Sequence, residues 1–148
     1  MPILGIDYGA KKIGLAKSDD KNRMALPLEI LLNTGQDEVL ARLKSICQEE
    51  QIERIVVGVP ISLHPEKRET FWRQKDLQNG QMKEVLSFVK WLESEFDIPI
   101  EVEDERLSTK MANGLRKDLV QKGPDDAVAA MLILQTYLDR NQNSKIEI

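Results

Sequence analysis

The run Arg54–Val59, RIVVGV, is apolar at every position after the first, and Pro60 stops it. β-Branched residues favour an extended chain, and a strand without a polar face has to be covered on both sides. Such a strand belongs inside a sheet, parallel to its neighbours, with helices packed above and below. That requirement restricts the rest of the chain to an α/β arrangement.

The remaining pattern supplies the parts. Residues 3–8 and 13–17 are strand-like, and Gly9-Ala10-Lys11-Lys12 between them suits a hairpin. Residues 24–31 form a third run, interrupted by Pro27; proline removes a ladder donor, which places this strand at an edge or around a bulge. Val39, Leu40, Leu43, Ile46 and Cys47 recur at helical spacing and predict a helix ending near Gln51. Met82, Val85, Leu86, Val89 and Leu92 predict a second, and residues 100–103 a short strand alternating apolar and acidic residues. Ser108 or Thr109 caps a third helix, broken at Gly123, and a last helix runs from about Asp126 to Arg140. The order is β-β-β-α-β-α-β-α-α. It predicts a three-layer α/β domain over residues 1–140, with a mixed five-stranded sheet flanked by helices and a polar tail at 141–148.

Composition narrows the class. At 148 residues, 41% apolar and 31% charged, the chain has the size and balance of one globular domain, and no apolar run approaches the roughly 18 residues of a membrane span. No signal segment opens it, and a lone Cys47 among apolar neighbours reads as a packed thiol, so a cytoplasmic protein is expected. The net charge of −4 argues against a basic nucleic-acid coat, although it leaves room for an acidic centre with a local basic rim.

Acidic residues fall where such a centre would form. Ligands collect beyond the carboxyl ends of parallel strands. Asp7 ends the first strand, Asp104 and Glu105 follow the strand at 100–103, and Asp125 and Asp126 open the last helix. Strand alternation sends Ile3, Gly5 and Asp7 to one face and Leu4, Ile6 and Tyr8 to the other, and Gly5 leaves space beside Asp7. Clustered carboxylates repel unless a cation compensates them, and hard oxygen donors with no Cys/His cluster suit Mg²⁺ or Mn²⁺. Two such ions about 4 Å apart activate a water and stabilise a leaving oxygen, so phosphodiester hydrolysis is the reaction class implied. Each acidic residue also has a plainer reading, as helix cap, surface turn or hairpin shoulder, and their joint placement favours the site.

Basic residues complete the picture. Arg106 adjoins the acidic pair and suits a phosphate, while Lys11 and Lys12 on the hairpin tip either touch substrate phosphates or are simply solvated. Lys67, Arg68, Arg73 and Lys75 surround Phe71 and Trp72, which either stack on a single strand or pack on the domain. Gly9 serves close phosphate approach or a sharp turn. His64, alone in its loop, is left out of the site.

These residues carry a resemblance. IDYGAKKIGLA, IVVGVP, DERLSTKMA and KGPDDAVAAMLILQTYL, in that order, resemble the four motifs of the YqgF (RuvX) family. The resemblance implies a ribonuclease H-like fold and a nuclease that processes the 5′ end of pre-16S ribosomal RNA, or alternatively resolves Holliday junctions. It makes Asp7, Glu105 and Asp126 the metal-binding catalytic residues, with Asp104 and Asp125 as further candidate metal ligands. The partner is then nucleic acid, pre-rRNA or branched DNA, and the protein a monomer or a homodimer. The loop after IVVGVP is longer than many family members have, so Arg73 and its neighbours have no family counterpart to lean on. A duplicated nucleotide-binding fold of the actin kind is disfavoured, because the chain is short and has no second Asp-x-Gly hairpin. A non-catalytic RNA-binding factor is disfavoured by the acidic cluster, which repels phosphate without metal.

Overall fold

The computed structural model describes residues 2–59, 80–104 and 125–146; for 80, 81, 125, 126 and 142–146 it describes the backbone alone. Five strands, β1 (Ile3–Asp7), β2 (Lys12–Ser18), β3 (Ala25–Leu32), β4 (Arg54–Val59) and β5 (Ile100–Asp104), form one sheet in the order β3-β2-β1-β4-β5. β1 pairs antiparallel with β2, and β2 with β3, whereas β1–β4 and β4–β5 are parallel. The all-apolar run is therefore interior and parallel on both sides, as its lack of a polar face requires, and the sheet is mixed and five-stranded, as expected.

Pro27 satisfies both of its expectations at once. β3 is an edge strand, and its register against β2 slips between Leu15, opposite Glu29, and Ala16, opposite Pro27. The extra residue, Leu28, forms a bulge at which the missing proline N–H costs no ladder bond.

Three helices cover the sheet among the described residues: α1 (Gln36–Glu49), α2 (Gly80–Glu95) and α3 (Asp125–Ile146). Helices α1 and α2 lie on one face, where Val39, Leu43, Ile46, Val85, Val89 and Leu92 pack on Leu4, Ile6, Ile55 and Val57. Helix α3 lies on the other, against Ile3, Ala16 and Val56. Helix α1 ends in a Schellman arrangement: Ile52 N–H donates to Cys47 O at 2.9 Å, and Gln51 between them has φ 54°. Cys47 packs beside this core, as expected of a packed thiol, and burial pushes its thiol up to about 11.

Helix α3 is longer than its apolar periodicity suggests. Residues 141–146 continue the helix where a frayed tail is expected, because no glycine or proline interrupts the stretch and Asn141 Nδ2 donates back to Tyr137 O at 2.9 Å. The expected helix between Ser108 and Gly123 lies outside the described residues.

Candidate active site

Asp7 is the last residue of β1, the central strand, and alternation puts it on the α3 face with Ile3 and Gly5 while Tyr8 packs with Leu4 and Ile6 opposite. The parallel pairing of β1, β4 and β5 brings their carboxyl ends to one sheet edge. Ile6 pairs with Val57, so one residue on Asp7 comes level with Gly58, which pairs with Glu103. Two strand spacings, about 10 Å of backbone, separate Asp7 from β5 at this level.

The space beside Asp7 is not open as Gly5 suggested. A Cβ on Gly5 would stand 2.8 Å from Leu134 Cβ and 3.2 Å from the Ala130 carbonyl, and one on Gly58 would stand 2.3 Å from Ile133 Cδ1. The two glycines are a seat into which α3 sinks. Glycine inside a β-branched run is itself a signal of close backbone approach, and it is the sign by which this seat can be found in sequence.

The seat fixes where α3 begins. Ala130 lies over Gly5, while Tyr137 reaches Arg54 at the start of β4 and Leu138 shares a core with Ile3, so the helix descends toward the amino ends of the strands. From Ala130 back to Asp126 is one turn, about 6 Å. From Gly5 on to Asp7 is about 6.6 Å in the same direction. The first turn of α3, which carries Asp125 and Asp126, therefore lies toward the edge where Asp7 ends β1.

Polar anchors hold the other half of the helix. Arg54 Nη1 donates to the Tyr137 hydroxyl at 2.7 Å, and that hydroxyl donates to Glu101 Oε2. Gln135 accepts from Ala25 N–H at 2.8 Å and donates to Arg23 O at 3.0 Å, tying α3 to β3. Glu103 is buried, with Oε2 2.5 Å from Arg140 Nη2 and Oε1 without a hydrogen-bond partner among the described residues. Burial pushes its carboxyl above the ordinary range, and the Arg140 guanidinium opposes that shift. Ile133, over Gly58, stands between Glu103 and Asp7. The acidic alternation of β5 marks the strand, but its pairing with Arg54, Tyr137 and Arg140 is set by contacts at long sequence separation.

The other expected residues divide. Alternation puts Asp104 on the α1 and α2 face with Ile100 and Val102. Lys11, in the turn between β1 and β2, and Lys12, the first residue of β2, are exposed. A Cβ on Gly9 would meet Lys12 O at 2.5 Å, so Gly9 serves the tight turn. Glu105, Arg106, Arg73 and the side chains of Asp125 and Asp126 lie outside the described residues. Among the described residues no group of three or more His, Cys, Asp or Glu side chains converges on a metal site.

Comparisons with known proteins agree with this architecture. Thermus thermophilus RuvC, solved alone and with a Holliday junction substrate, superposes with a TM-score of 0.59 at 18% and 19% identity, over at least 96% of both chains. The fowlpox virus Holliday junction resolvase superposes with a TM-score of 0.53 at 11% identity, over 95% of this chain and 99% of that one. The fold is thus ribonuclease H-like. A Rickettsia felis protein named as a candidate pre-16S rRNA nuclease is 34% identical over 143 residues, 93% of this chain and 86% of that one. A Rickettsia akari protein of the same name is 33% identical over 147 residues, 96% and 88% of the two chains. The model of the RuvX family, described as Holliday junction resolvase, matches residues 1–140, and the chain belongs to that family.

Proposed function

We propose that this chain is a divalent-metal-dependent nuclease that hydrolyses phosphodiester bonds while trimming the 5′ end of pre-16S rRNA in the cytoplasm. The observation that carries the reading is the juxtaposition at one sheet edge of Asp7, the end of β5 leading into Glu105, and the acidic first turn of α3. Asp7, Glu105 and Asp126 are the ligands in this reading, and all offer the hard oxygen donors that Mg²⁺ or Mn²⁺ prefers. Asp104, on the opposite strand face, and Asp125 are neighbours rather than ligands. A bound ion supplies charge neutralisation and an activated water. The protein's part is to hold its carboxylates in place through the glycine seat and the anchors along α3. Lys11, Lys12, Arg106 and Arg73 would meet the flanking phosphates and offset the acidic centre.

The names of the Rickettsia relatives favour pre-rRNA as substrate. A second reading, resolution of Holliday junctions, is favoured by the description of the family. Incubating the chain with a precursor-rRNA mimic and with a four-way DNA junction, with and without Mn²⁺, separates the two. The Asp7→Asn variant is expected to fold and to lose cleavage of the preferred substrate. Cleavage equal to the parent would remove Asp7 from the site and the metal assignment with it.

A further inference from the structure

The sheet face opposite α3 carries a cleft of about 280 Å³ at the carboxyl end of β1. Its floor is aromatic. Tyr8, which follows Asp7 directly, meets Phe88 of α2 at 4.5 Å between ring centroids with a tilt of 32°, and Phe88 meets Trp91 at 5.7 Å and 38°. Phe88 is buried, whereas Tyr8 and Trp91, each in contact with it, are only half-buried and line the cleft. Of the chain's three Phe, two Tyr and two Trp residues, three line this one cleft.

The rim is polar. Gln36 stands in the first turn of α1, Lys83, Glu84 and Ser87 on the exposed side of α2, and Asn33 at the end of β3. Asn33 donates from Nδ2 to Gly9 O at 3.0 Å and from its backbone N–H to Lys11 O at 2.9 Å. The wall of the cleft is thereby tied to the turn that follows Asp7.

This chemistry selects an occupant. Aromatic floors accept any nucleobase because every base has a π-face, and amide, hydroxyl and carboxylate groups address base edges. Glu84 beside Lys83 makes the rim a poor seat for a bare phosphate. The volume lies just below the about 300–1,000 Å³ of drug-sized sites, which suits one flat heterocycle. A paired base is held in its duplex and presents no free face, so the occupant is unpaired.

We propose that this cleft binds one unpaired nucleobase of the substrate strand, close to the nucleotide whose phosphate reaches Asp7. The proposal rests on the nuclease reading and adds that the substrate is single-stranded or distorted at that position. It is tested on the full chain in EDTA, with a fluorescein-labelled single-stranded pentanucleotide RNA followed by anisotropy. Trp91→Ala is expected to weaken binding about tenfold and Trp91→Phe to restore most of it. Ser87→Trp, at an exposed helix position, fills the cleft and weakens binding to a similar extent even if Trp91→Ala does not fold. The same oligomer lacking its bases should bind the parent about tenfold more weakly and all variants alike. The proposal is overturned if the parent does not bind the RNA, if folded Ser87→Trp binds as the parent does, or if the base-free oligomer binds as tightly as the intact one. Because binding is read without metal or cleavage, an Asp7→Asn variant that still cuts would sink the nuclease reading alone. Cleft-independent binding beside an inactive Asp7→Asn would sink the cleft alone.

Discussion

Replacing Gly5 with alanine tests whether the close seat of α3 positions the site. The added methyl would stand 2.8 Å from Leu134 Cβ and 3.2 Å from the Ala130 carbonyl oxygen. Carbon atoms pack best at about 3.5–4.0 Å, so roughly 0.7 Å or more of separation has to be gained. Neither obstacle is the tip of a side chain. Both are fixed to the helix backbone, and relief requires α3 itself to lift from β1. Overpacking of this kind costs about 1–3 kcal/mol. For a chain of this size, that corresponds to a melting temperature lowered by about 2–4 °C per kcal/mol. Because Asp126 rides on the same helix, a shift approaching 1 Å is expected to reduce cleavage by up to about 10²-fold on the proposed site.

Gly58→Ala provides the contrast. There the nearest obstacle, at 2.3 Å, is Ile133 Cδ1, the end of a side chain that can rotate, at about 0.5–1.5 kcal/mol for a strained rotamer. Ile133→Val removes that atom, so the Gly58→Ala/Ile133→Val pair should be little worse than Ile133→Val alone, which costs about 0.5–1.5 kcal/mol. No such change rescues Gly5→Ala. Urea unfolding and single-turnover cleavage of the four variants would decide the matter. A Gly5→Ala protein with parental stability and cleavage, or one less damaged than Gly58→Ala, would refute the reasoning.

Three further outcomes follow from local geometry. Gln51 holds φ 54° at the end of α1, so Gln51→Gly should stabilise the protein by about 0.5–1 kcal/mol, read as a higher urea midpoint at unchanged slope. Arg42 donates to both carboxylate oxygens of Glu29 at 2.8 and 2.6 Å and lowers its pKa from the ordinary 4.5. A lowered carboxyl pKa adds stability above the ordinary value and loses it as pH falls through the lowered one, so the advantage of the parent over Glu29→Gln in thermal melts should be present in full at pH 7 and shrink progressively as pH falls below the ordinary 4.5. Arg140→Leu leaves the buried Glu103 without its counter-charge and should cost about 1–3 kcal/mol, most of it recovered by adding Glu103→Leu.

Local pattern carries much of this protein by itself. The two-sided apolarity of RIVVGV requires an interior strand, the helical spacing of Val39, Leu43 and Ile46 identifies α1, and Pro27 announces an edge or a bulge. Alternation in β1 also places Asp7 and Tyr8 on opposite faces, because a strand leaves its side chains only two directions. Tertiary structure alone decided what meets those faces. The seat at Gly5 and Gly58 is filled by residues more than seventy positions away, and Glu103 finds Arg140 37 positions on. The same holds for the cleft, where Tyr8 meets Phe88, and Phe88 meets Trp91, only because α2 crosses back over the end of β1. Periodicity records which way a side chain points; what it touches depends on which distant element the fold brings to that face.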